Sequence, residues 1–339
     1  MPIFACYIGS SSVTTAVQKK DGTFTVNRFP FVYSPNLFNS KLDESGFYKI
    51  VLEEVAKSFK AKLSDFELLI AHRPNLSDLK IDAKINVDVT QLFPKCDEKY
   101  IVLVEGLTVF TPDYRKTDKP GQDLLFKNAL SDDTFVANLT LYPQLLPREL
   151  NEILAVDSLT VTSFLQDGGG VVSQHPIVFT GDRFAQEDGQ GIYKYALVSD
   201  LLIHSGYYYV EIDTGNSVIL KALLRKYDPS VSFEGIPEPE EVGTFALVPG
   251  NTEVLISSDM GTGQFFDIKK DSIFVAPLDV SSKSSVSIKN KYVGDSEGIV
   301  KGGTLGLVFD TREQRILLNS DIKDLNSFIR EVGNVRKGI

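Results

Sequence analysis

"ACYIGSSSVTTAV", residues 5–17, has the outline of a phosphate loop. An apolar run from Ile3 to Ile8 leads into Gly9 and three serines, Ser10, Ser11 and Ser12, and a second run follows from Val13 to Val17. A turn of this kind can wrap backbone N–H groups and hydroxyls around a phosphate, and Thr14 adds one more hydroxyl. In sites built this way a carboxylate just before the glycine holds a metal ion and its waters. Here that place belongs to Tyr7, whose phenol has an ordinary value of about 10 and stays neutral near pH 7. The stretch therefore admits three readings: a working nucleotide site, a phosphate binder without chemistry, or a serine-rich hairpin.

Residues 3–33 extend it into a three-strand meander with a hairpin at Asp21-Gly22, a strong turn pair. Phe47, Ile50, Val51, Val55 and Phe59 then recur at helical spacing over 44–60, and "ELLIAH" (67–72) is a short apolar strand. From Tyr100 the pattern restarts with "YIVLVEGLTVFTP", in which Glu105-Gly106-Leu107-Thr108 is the nearest approach to a second phosphate hairpin. Glu105 reads as a solvated residue or a residual metal carboxylate. A helix is expected over 147–166, with Pro147 near its first turn and Asp167-Gly168 at its end. Pro176 to Thr180 reads as a strand running into Gly181-Asp182, with a short helix starting at Arg183. A helix over 194–204 and a strand, turn and helix over 206–226 complete this part. The stretch 228–241, with three prolines and five acids, reads as a linker. Beyond it, short β-branched runs punctuated by Gly, Ser, Asn and Asp predict five or six strands, then a helix over 321–332.

The chain has 339 residues, 42% hydrophobic and 24% charged, with a net charge of −10. That balance fits a soluble globular protein and argues against nucleic acid or anionic membrane as partner. Cys6 and Cys96 make no disulfide framework, no basic leader or membrane-length apolar run is visible, and a cytoplasmic location is expected. His72, His175 and His204 lie too far apart for metal-ligand spacing and read as structural. No HExxH, CxxC pair, P-loop or GxSxG occurs.

Several stretches together resemble the glutamate-mutase-associated MutL/GlmL-type proteins, within the superfamily of actins, sugar kinases and heat-shock chaperone ATPases. "VKGGTLGLVFDTREQRILL" (300–318) is similar to that family's ending, with Gly302, Gly303, Gly306, Asp310 and Arg312 on the pattern. "IVFTGDRFAQ" resembles its adenosine segment, with Asp182 where a second glycine is usual, and residues 5–17 resemble its first phosphate hairpin. The resemblance implies an α/β, actin-like (ribonuclease H-like) fold of two duplicated halves, residues 1–99 and 100–227. A β-rich C-terminal domain with a terminal helix, 242–339, would follow. It implies ATP or ADP contacts at Gly9, Ser10, Ser11, Ser12, Thr14, Thr180, Gly181 and Asp182.

The departures matter. Tyr7 replaces the first acid and no DxGxxT pattern follows Tyr100, so no catalytic residue and no metal ligand is assigned and well-ordered Mg2+ is not expected. The leading expectation is a nucleotide-binding-fold scaffold or accessory protein with weakened or absent ATPase activity. One alternative is an active ATPase assisting a partner enzyme or assembly, with Asp21, Glu105 and Asp182 as substitute acids. The other is a ligand-free interaction protein. A protein partner would be met through the C-terminal β-rich domain or through Tyr207 and Tyr209, which share one face of a strand. Asp310 and Arg312 read as an ion pair at a β-domain corner.

Overall fold

A computed structural model describes residues 1–31, 43–74, 76, 79–93, 98–106, 108–113, 157, 160–165, 169–171, 173–185, 193–202, 204–258, 263–280, 282–292 and 294–313. Cys96, most of the helix expected over 147–166 and all of that over 321–332 lie outside these residues; Thr160 to Leu165 are helical.

The opening meander forms as read: β1 (Ile3–Ile8), β2 (Ser12–Gln18) and β3 (Phe24–Pro30). The turn between β2 and β3 is longer than a two-residue hairpin. Asp21 Oδ1 accepts from Thr23 N and Oγ1, and Gly22 takes the left-handed conformation, φ +89°, which costs a glycine nothing sterically. Helix α1 (Glu44–Ser58) starts where Asp43 caps the Gly46 amide. β4 (Glu67–His72) returns parallel to β1, and β5 (Ile85–Asp88) lies parallel to β4. The first sheet thus runs β3-β2-β1-β4-β5. Phe4, Cys6 and Ile8 pack with Tyr48, Leu52 and Val55 of α1.

The second sheet starts with the same alternation of senses. β6 (Tyr100–Glu105) turns into antiparallel β7 (Thr108–Phe110), β8 (Ile177–Thr180) lies parallel to β6, and β9 (Gly206–Ile212) parallel to β8. Helix α2 (Tyr193–Leu201) precedes β9 and helix α3 (Ser217–Tyr227) follows it. Its residues Ile219, Leu220, Leu223 and Leu224 pack with Ala5, Tyr7 and Leu69 of the first sheet, so α3 carries the chain back from one sheet to the other. The helix expected from Arg183 is a single turn, closed by Phe184 N donating to Gly181 O.

The linker over 228–241 lies on β3: Phe24 N donates to Glu234 O, and Gly235 sits against the Phe24 backbone, where a Cβ would not fit. The strands after it divide between two sheets. β10 (Glu240–Leu247), β13 (Ile273–Ala276) and β16 (Gly306–Asp310) extend the second sheet into the order β13-β16-β10-β9-β8-β6-β7. β11 (Thr252–Ser258), β12 (Gly263–Ile268), β14 (Lys283–Asn290) and β15 (Ser296–Lys301) make a separate antiparallel sheet, β12-β11-β14-β15. A core of Val254, Ile256, Val286 and Ile288 against Ala246, Leu307 and Phe309 joins the two. Tyr207 and Tyr209 do share a face, and β15 lies against it: Tyr207 Oη is 3.3 Å from Ser296 Oγ, and Lys301 stands over the Tyr209 ring.

Candidate functional site

β1 and β6 end side by side with their parallel neighbours, Ile8 level with His72 and Leu103 level with Thr180. Carboxyl ends of parallel strands are where open α/β sheets build binding crevices. The loop after β1 closes on itself, Gly9 N donating to Ser12 O at 2.9 Å, and its remaining amides point at the second sheet. The two candidate segments, Gly9 to Thr14 and Thr180 to Asp182, meet there, and every one of their polar side chains is buried.

The donors of the serine loop are already engaged. Ser10 N and Oγ donate to Glu105 Oε2, at 3.1 and 2.8 Å. Ser11 N and Ser12 N donate to Asp182 Oδ2, at 2.6 and 2.9 Å, and the Ser11 and Ser12 hydroxyls donate to the same carboxylate. Glu105 Oε1 accepts from the Tyr7 phenol and from Asp182 N. Asn216 Nδ2 joins Asp182 Oδ1 to Thr14 Oγ1. The positions in which a phosphate would find its donors thus hold two carboxylates of the protein itself. Gly9 is required by this arrangement, because a Cβ there would run into the Asp182 carboxylate. Gly181, at φ +105°, leaves no room for a Cβ against Val104 O.

Glu105 is therefore neither solvated nor free. It is 6% exposed. Burial, and then the neighbouring Asp182, push its carboxyl up to about 7, while its hydrogen-bond donors pull the other way. The Tyr7 phenol is raised well above its ordinary value, first by burial and then by Glu105 and Asp182. Tyr7 stands where an acid was expected, and it supplies a donor to an acid that comes from the opposite sheet. Thr180 Oγ1 donates to Asp213 Oδ2 at 2.9 Å, and Asp213 accepts from Ser217 N, Ser217 Oγ and Val218 N, so it satisfies the first turn of α3. Arg28 Nε donates to Ser12 Oγ at 3.1 Å. No carboxylate pairs with Arg28 among the described residues.

A second buried cluster begins one residue beyond Asp182. Arg183 pairs with Asp157, and Arg312 pairs with Asp200 at 2.8 Å and with Asp310 at 2.7 Å. Ser199 Oγ donates to Asp310 Oδ2 at 2.5 Å. Burial pushes Asp200 up to about 7 against the pull of Arg312. Asp310 is drawn below its usual range, because Arg312 and its hydrogen bonds outweigh burial. His72 is buried, with Nδ1 3.0 Å from Arg73 O, while His175 and His204 are exposed.

Sequence reasoning pointed to the serine loop and Gly181-Asp182, and read Glu105 as a solvated residue or a substitute acid. It missed Asn216 and Asp213, although Asp213 stands four residues before Ser217 at the start of a helical pattern, which is a capping signal. No group of three His, Cys, Asp or Glu side chains that could hold a metal ion occurs among the described residues.

No family model matches the chain and no curated protein matches it. Among solved structures, the activator of the 2-hydroxyisocaproyl-CoA dehydratase from Clostridium difficile with bound ADPNP overlays at 11% identity and a TM-score of 0.36, covering 68% of this chain and 95% of that one. Component A of the Acidaminococcus fermentans (R)-2-hydroxyglutaryl-CoA dehydratase overlays at 10% and 0.34, covering 66% and 96%. The ethanolamine utilization protein EutJ from Carboxydothermus hydrogenoformans gives 10% and 0.33, covering 66% and 88%. These overlays are loose, and the strand order of the two sheets speaks more directly.

Proposed function

We propose that the chain is an actin-like scaffold or accessory protein whose phosphate loop is filled by its own carboxylates and which does not turn over ATP. The carrying observation is that Ser10 N, Ser11 N and Ser12 N all donate to Glu105 or Asp182. The repeated sense of strand pairing in β2-β1-β4-β5 and β7-β6-β8-β9 supports two ribonuclease H-like halves, residues 1–99 and 100–227. No helix among the described residues is long and apolar enough to cross a membrane, and the near absence of cysteine supports a cytoplasmic setting. A protein partner would be met through the four-stranded sheet of the C-terminal region, whose outer face leaves Phe265 64% and Ile299 80% exposed. β15 already covers much of the Tyr207–Tyr209 face.

A second reading, ATP or ADP binding without hydrolysis, draws on Arg28, a guanidinium beside the loop with no carboxylate partner among the described residues. Titration with a fluorescent ATP analogue, with and without Mg2+, separates the two. The scaffold reading expects no saturation at millimolar nucleotide and no phosphate release. Saturable binding that strengthens in Asp182→Ala, where four loop donors are freed, favours the second reading. Mg2+-dependent turnover by the wild type overturns both.

A further inference from the structure

The serine loop is the place where the two sheets are tied, and two carboxylates divide its three serines between them. Glu105 holds Ser10 while Asp182 holds Ser11 and Ser12, and the Asp182 amide donates to Glu105 Oε1 at 2.9 Å. We propose that Glu105 is a proton-operated pin: with its carboxyl protonated the serine loop is held to the second sheet, and ionisation loosens that hold. This inference rests on the contacts at the loop and not on whether nucleotide binds.

The groups facing Glu105 set the sign. From β1 comes the Tyr7 phenol, a neutral donor; from the loop come Ser10 N and Oγ; from the turn after β8 comes the Asp182 carboxylate with its amide. After β4 stands Arg73, whose guanidinium is 2.9 Å from Glu44 Oε1 and whose Nε is buried without a partner. On β3, Arg28 reaches Ser12 and not Glu105, and at α3 the Asp213 carboxylate is committed to Thr180 and Ser217. Among the described residues no cation bonds Glu105 directly, although the Arg73 charge acts on it through space, and the carboxylate beside it at the loop is that of Asp182. With both ionised, two like charges share a buried loop, and the repulsion is relieved only by drawing one side out into water.

The protonated form keeps its bonds. A proton on Oε2, taken from solvent, can be donated to Ser10 Oγ once that hydroxyl rotates, since a serine hydroxyl both donates and accepts. Ser10 N, Tyr7 and the Asp182 amide still find acceptor lone pairs on the carboxyl. Opening the loop returns Glu105 to water and to an ordinary carboxyl value, so the closed form binds the proton more tightly than the open form. Closure is then favoured at low pH and weakens as pH rises from about 4.5 to 7, becoming level above that.

Amide hydrogen exchange on the full chain tests this, with protection at Ser10 to Ser12 normalised to the intrinsic rate at each pH. Protection should fall about 10-fold or more between pH 5 and 7.5. Glu105→Gln, which stays neutral, should flatten the response, while Asp200→Asn should leave it intact. Should Glu105→Gln fail to fold, the infrared spectrum of Asp200→Asn, which removes the other buried carboxyl raised to about 7, decides: a neutral buried carboxylic acid band should still be present and fade as pH passes 7. In Tyr7→Phe, which removes a donor to the carboxyl, that fading should move to higher pH. Loop protection that is level from pH 5 to 7.5, a band that ignores Tyr7→Phe, or a response abolished by Asp200→Asn overturns the proposal.

Discussion

Glu105 and Asp182 at the serine loop and Asp200 and Asp310 beside Arg312 are buried to the same degree, between 0% and 6% exposed. They are made tolerable by different means. At the loop the charge is met by amides and hydroxyls: seven donors from residues 7–12, the Asp182 backbone amide and Asn216 Nδ2. Beside β16 it is met by a guanidinium whose nitrogens reach two acids at once. A buried carboxylate needs partners in either case, but the loop's hydroxyls can turn to serve either protonation state, whereas a forked guanidinium fixes the geometry of the acids it holds. The loop is thereby a joint and the Arg312 cluster a rivet.

The comparison breaks most visibly at Arg312. Arg312→Met strands Asp200 and Asp310 in the interior, and should cost about 3–5 kcal/mol in urea unfolding; a loss below 1 kcal/mol would mean that the rivet is not a rivet. The pH dependence comes next. Glu105 moves from 4.5 to about 7 on folding and Asp200 from 3.8 to about 7, so between those values the native state holds more protons than the unfolded chain. Stability should therefore decline as pH rises from about 4 to 7, by several kcal/mol, and then level off. A melting temperature that climbs over this window contradicts that sign. Gly9→Ala, whose methyl meets the Asp182 carboxylate, should cost about 1–3 kcal/mol by overpacking, measured by thermal unfolding. The finest discrimination lies between two hydroxyl deletions. Tyr7→Phe removes a donor from a carboxylate that no cation bonds and should cost about 1–2 kcal/mol, more than Ser199→Ala, where Arg312 still holds Asp310. Equal costs would erase the distinction.

Much of the frame was legible in the sequence because it is local. β1, β4 and α1 follow from apolar runs and periodicity, and their limits match the reading to within two residues. The serine loop was legible as a turn that collects anions. What occupies it was not, because its anions lie 95 and 171 residues away, at Glu105 and Asp182. In one dimension a buried acid looks like a solvated one; only the fold brings the donors to it. Asp310 and Arg312, two residues apart, were legible as a pair, while Asp200, 112 residues from Arg312, was not. The strands after the linker were legible one by one. Their division between two sheets was not, since β10 pairs with β9 and β16 through contacts with no local signature.

Helix α3 has a consequence for how the chain is made. Its leucines complete the underside of the first sheet, yet they leave the ribosome more than a hundred residues after β5. Until residue 227 has emerged, Ala5, Tyr7 and Leu69 lack the helix that covers them, and the N-terminal portion waits with an open apolar surface. Closing so long a loop before the core is sealed makes for slow folding. Nascent chains halted near residue 150 should accordingly be captured by chaperones that bind exposed apolar segments, and chains halted shortly after residue 260 should be released from them.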